Sequence, residues 1–92
     1  MTTPLVLSDD TRTLLGRLAD TLDAKRPHAE MLEPIRLARA LVLAEQLHPR
    51  DPEKAFDTEQ DLLAAAPRVT PGTTRGEYAA KLRLIAQGVS AG

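Results

Sequence analysis

Residues Glu30 to Leu47 read EMLEPIRLARALVLAEQL. This is the most apolar stretch of the chain, and its reading decides the fold. Pro34 sits near its start. Inside a helix a proline removes a backbone hydrogen bond and its ring clashes with the preceding turn, at a cost of about 3 kcal/mol. At the first helical position it costs almost nothing. Two readings compete: one kinked helix from His28 to Leu47, or a short helical turn through Met31 followed by a main helix that starts at Pro34. The second is favoured, with Glu33 as an indifferent cap, and the helix is placed over 34–48. Beyond Pro34, the residues Ile35, Leu37, Ala38, Ala40, Leu41, Val42, Leu43, Ala44 and Leu47 are apolar and go round most of the helix. Only a narrow polar strip of Arg36, Arg39, Glu45 and Gln46 remains. A helix that is apolar on almost every side is a buried one. This segment is therefore expected to form the centre of the domain, with Arg36 and Arg39 on its wet strip. It is too short and too charged for a membrane span, which needs about 20 largely apolar residues.

Three further helices are expected around it. Ser8 is a good N-cap, Asp9 and Asp10 favour the positive end of a helix dipole, and Leu14, Leu15, Leu18 and Leu22 recur at helical spacing. They place a helix over 9–25, ended by Pro27, with Leu7 at the position of a hydrophobic staple. Asp51, Pro52 and Glu53 form a second start signal, for a helix over 52–66 that carries Ala55, Phe56, Leu62, Leu63 and Ala66. The polar run DTEQD within it offers Asp57 as a point where the helix could restart, and Pro67 ends it. Pro71–Gly72 marks a turn. Thr74 and Glu77 match a capping box, and Tyr78, Ala79, Leu82, Ile85, Ala86 and Val89 place the last helix over 74–88, with Gly88 at its end. Apolar and polar residues never alternate for long, so no strand is expected. The sequence thus specifies an all-α protein, a compact four-helix bundle of up-down type. A tail over 1–7 packs on or near the bundle, a single helical domain covers 8–89, and a short tail covers 90–92.

Composition narrows the function classes. The chain has 92 residues, one domain's length, and a domain this small has little stability to spare. Phe56 and Tyr78 are its only aromatics, so the core is aliphatic and little is available for stacking on bases. Twelve basic residues against thirteen acidic ones give a net charge of −1, which argues against a general footprint for nucleic acid or an anionic membrane. No cysteine is present, which removes thiol catalysis and cysteine-ligated metals. The start MTTPLVLSDD has neither the basic nor the long apolar region of a secretory leader, and a cytoplasmic location is expected. Abundant alanine and leucine, with arginine in excess of lysine, point to a GC-rich bacterial genome.

No motif carries catalysis. His28 and His48 are twenty positions apart in the sequence, with no metal-ligand spacing between them, and are read as capping or surface residues. Asp57, Glu59 and Asp61 imitate the start of a calcium loop, but Leu62 stands where glycine is needed and Arg68 where glutamate is needed. TPGTT is too poor in glycine for a phosphate loop and reads as a connector. No cofactor is expected. The favoured function is a small non-enzymatic protein–protein interaction or regulatory module, with a homodimer as one form of it. Its expected contact residues are Arg36, Arg39, Leu43 and Tyr78. The alternative is a small DNA-binding regulator that uses the last helix, with Thr74, Arg75, Lys81 and Arg83 as phosphate or base contacts. Against it stands the connector between the last two helices, which is longer than a helix-turn-helix turn. A third reading is a small-ligand binder or enzyme whose pocket gathers His28, Glu30, Glu33, Arg36 or His48 inside the bundle.

Overall fold

A computed structural model describes residues 7–88. Four helices follow in order: α1, Asp9–Ala24; α2, Glu33–Leu47; α3, Pro52–Ala65; and α4, Arg75–Ala86. They pack into a slab of 36 × 35 × 18 Å. The fold is the expected compact all-α arrangement of four helices, and the boundaries fall within two residues of those expected. The apolar tail residues 5 and 6, Val89 and the C-terminal tail lie outside the described residues.

The start signals work as read. The Thr11 backbone N–H donates to Ser8 Oγ (3.1 Å), and the Lys54 N–H donates to Asp51 Oδ1 (3.1 Å). At α4 both halves of the capping box are made: the Glu77 N–H donates to Thr74 Oγ1 (3.1 Å), and the Thr74 N–H donates to Glu77 Oε1 (2.9 Å). These bonds satisfy amides that a helix start leaves without partners. The hydrogen bond from the Thr74 backbone N–H, with help from its side chain, also holds the Glu77 carboxyl below the usual carboxylate range. Pro34 lies in the first turn of α2, so it starts the helix and does not kink it. The helix α3 runs unbroken through DTEQD, and Asp57 restarts nothing.

Two expectations are corrected. The segment before α2 is not a helical turn through Met31. After a turn closed by the Ala29 N–H to the Arg26 carbonyl (2.9 Å), the chain is extended, and Glu30 forms an isolated antiparallel bridge with Thr74. Three backbone groups of residues 27–31 join the start of α4: the Met31 N–H donates to Thr73 O (2.8 Å), and the Arg75 and Gly76 N–H groups donate to Ala29 O (2.9 Å) and Pro27 O (2.8 Å). Gly76 permits this approach, because a Cβ there would lie 3.3 Å from the Pro27 carbonyl oxygen. A pairing between segments more than 40 positions apart leaves no periodic trace in either one.

The second correction concerns the centre of the bundle. It is α1, not α2. The helix α1 packs mainly on α4 and also touches α2 and α3, whereas α2 packs mainly on α3. Leu14, Leu15, Leu18 and Ala19 of α1 have no exposed surface, and Met31, Leu62, Tyr78, Ala79 and Leu82 close the core around them. Leu7 packs partly buried on the same cluster. In α2 only Arg36, Ala40, Leu43 and Ala44 are buried. Every helix keeps an open side, but that of α1 is polar (Asp9, Asp10, Arg12, Thr13, Arg17 and Asp20 are exposed), whereas that of α2 is largely apolar.

Candidate functional site

The open side of α2 is the main feature of the surface. Leu37, Leu41 and Val42 are 45%, 44% and 43% exposed, with Leu32 at the entrance to the helix and Phe56 on the neighbouring α3 also exposed. Ala38 joins them on the wet side. This is a ridge of aliphatic side chains on a helix whose opposite face is in the core. On a domain of this size such a surface usually marks a contact.

A groove lies on each flank of the ridge. Toward α3, Leu41, Ala55 and Phe56 line a cleft of about 560 Å³ that also carries Glu45, Glu59 and His48. Toward α1, Ile35, Ala38 and Val42 line a second cleft of about 340 Å³, with Leu22 on its far wall and Lys25, Arg39 and Arg75 around it. One flank is therefore acidic with a histidine, and the other is basic.

The strip expected to carry two exposed arginines carries one. Arg39 is exposed, but Arg36 is 7% exposed and spans the gap between α2 and the end of α3. Its Nε donates to the Ala66 carbonyl (3.1 Å), one terminal nitrogen donates to the Leu63 carbonyl (2.9 Å), and the other pairs with Glu33. Glu33 in turn accepts from the Val69 N–H (3.2 Å). The carbonyls at a helix end have no partner within the helix. The last turn of α3 has no basic residue of its own, so α2 supplies the cation that favours the negative end of its dipole. Arg36 is a structural clamp. One signal for it lies in the sequence: LLAAAP ends a helix with neither a basic side chain nor a glycine to satisfy its carbonyls.

Tyr78 and Leu43 are likewise placed in the core, not on the contact surface expected for them. Tyr78 has no exposed surface, and its hydroxyl donates to the Pro67 carbonyl. Burial pushes this hydroxyl up to about 12, against the opposing pull of the Arg36 cation. Tyr78 and Arg36 thus hold the same connector, residues 66–69, from two sides.

The residues expected to touch DNA are mostly engaged within the chain. The Thr74 hydroxyl caps α4, a terminal nitrogen of Arg75 donates to the Lys25 carbonyl (3.4 Å), and Arg83 pairs with Asp20 (3.0 Å) and Asp23 of α1. Lys81 is exposed. The residues expected to gather in an internal pocket do not come together. Glu33 pairs with Arg36, Glu30 bridges Thr74 through its backbone, His28 lies in the exposed turn, and His48 lies at the other end of α2. Among the described residues no group of three or more histidines and carboxylates is placed to hold a metal ion, and no helix is long and apolar enough to cross a membrane. Comparison of the chain with protein-family models, with curated proteins and with solved structures finds no match.

Proposed function

We propose that this protein is a non-enzymatic interaction or regulatory module that pairs through the outward ridge of α2, with a second copy of itself as the first partner to test. One observation carries the reading: Leu37, Leu41 and Val42 are each nearly half exposed on a helix whose other face is core. Covering aliphatic surface contributes about 25 cal/mol per Å² removed from water, which gives such a ridge a reason to pair. With α2 anchored to α3 by the Arg36 clamp, the ridge is presented on a fixed backbone, and a rigid face loses little conformational freedom on binding. The reading carries with it the expectation of a bacterial, cytoplasmic protein.

Sedimentation over a wide concentration range tests the first partner. The wild-type chain is expected to associate, and Leu41→Glu is expected to stay monomeric with an unchanged helical spectrum. A photo-crosslinking side chain at position 41, compared with one at the exposed Arg12 in the protein's own cells, tests for a different partner. A chain that is monomeric throughout and crosslinks no more at position 41 than at position 12 would overturn the reading.

A further inference from the structure

The basic cleft beside α2 shares Ala38 and Val42 with the ridge but adds cations that the ridge lacks. Lys25 comes from the end of α1, Arg39 from α2 and Arg75 from the start of α4, and all three line the same cleft of about 340 Å³. No aspartate or glutamate lines it, and none of the three cations is paired with a carboxylate among the described residues. The other arginines that face the interior of the fold are matched: Arg36 by Glu33 and two carbonyls, Arg83 by Asp20 and Asp23. Arg75 is different. One of its terminal nitrogens reaches the Lys25 carbonyl, but its Nε is buried and has no hydrogen-bond partner among the described residues. A buried donor without an acceptor is costly and uncommon. Three cations brought together from three helices also repel one another. An anionic acceptor in the cleft relieves the repulsion among the three cations.

The rest of the lining says what kind of anion. Leu22, Ile35 and Val42 provide an apolar wall, so the occupant carries an apolar body as well as a charge. The volume is at the lower end of the roughly 300–1,000 Å³ typical of small-molecule sites. A second copy of the chain does not fit, because two-fold pairing over this cleft would set its three cations against the same three of the partner. We infer that the cleft between α1, α2 and Arg75 binds a small amphipathic anion, a carboxylate or phosphate group on a short apolar chain. The anionic group takes its hydrogen bonds from Arg75 and Arg39, and the chain lies along Ile35 and Val42.

The probes are octanoate and octyl phosphate, titrated against the full chain and followed by amide and side-chain NMR shifts. Octyltrimethylammonium, octanol and inorganic phosphate serve as controls. Saturable shifts at Lys25, Ile35, Arg39, Val42 and Arg75 with one or both anionic probes are expected. They should be absent with octanol and the cation, and weaker with inorganic phosphate. The stronger of the two anionic probes identifies the headgroup. Arg75→Gln should weaken binding about tenfold, as expected for a lost hydrogen bond to a charged group. Arg39→Gln, at an exposed position, should weaken it without disturbing the fold, and Arg12→Gln should change nothing. Shifts that do not saturate, an equal response to octanol, or affinities unmoved by Arg39→Gln and Arg75→Gln would overturn the inference. Leu41→Glu lies outside this cleft, so loss of pairing through the ridge and loss of anion binding are read separately.

Discussion

Arg36 and Arg39 are one turn apart on the same helix and have opposite fates. Arg36 is buried and spends its guanidinium on two carbonyls at the end of α3 and on Glu33. Arg39 stays in water beside a cleft that it shares with two other unpaired cations. The two faces of α2 divide in the same way. Ala40, Leu43 and Ala44 are core, whereas Leu37, Leu41 and Val42 are left half bare. What separates the faces is the neighbouring helix and not the residue type. Leucines stand on both sides and an arginine stands on each.

The largest expected effect tests the inner arginine. Arg36→Ala leaves two helix-end carbonyls without donors and a half-buried Glu33 without its cation, and should cost about 3 kcal/mol in urea unfolding. A loss below about 1 kcal/mol would mean that the clamp is not holding α3. Next comes the pair of leucines. Leu43→Ala should cost about 2–3 kcal/mol through lost burial and a cavity, whereas Leu41→Ala should cost about 0.5 kcal/mol. Equal costs would erase the distinction between the faces.

Tyr78→Phe sharpens the clamp from its other side. It keeps the ring but leaves the Pro67 carbonyl without its donor, for an expected loss of about 1–2 kcal/mol at neutral pH. The variant also has a pH signature. The folded-state value for Tyr78 lies near 12, above the roughly 10 of an unfolded tyrosine. The contribution is therefore complete below about pH 10 and is lost as pH rises through 12, by about 3 kcal/mol in full. Wild-type stability should fall across that window, and Tyr78→Phe should fall much less, as followed by urea midpoints at stepped pH. The smallest effect belongs to the outer arginine. Arg39→Ala should stay within about 0.5 kcal/mol of wild type, and a larger change would show that this side chain holds the fold and is not free for a ligand.

Local chemistry accounts for what was legible in advance. Ser8, Asp51 and Thr74 each cap the helix that their position announces, because a cap acts over three residues and is complete within its own segment. Pro34 and Pro52 start helices for the same reason. The apolar residues that go round most of α2 read as burial at the centre, but its neighbours cover one face and leave Leu37, Leu41 and Val42 exposed. Less of the candidate site is legible in the sequence. Arg36, Leu43 and Tyr78 were expected at a contact surface and lie in the interior, where Arg36 and Tyr78 meet partners about 30 and 11 positions away.

By itself, the sequence determined the helical class, the four segments and their ends, since each depends on hydrogen bonds and periodicity within a few residues. Tertiary structure alone decided that α1 and not α2 packs on all three other helices, which of two arginines is buried, and that Lys25, Arg39 and Arg75 share one cleft. Those outcomes depend on which helices stand beside one another. A helix records in its sequence how much surface must be covered, but not which neighbour covers it or which side is left open.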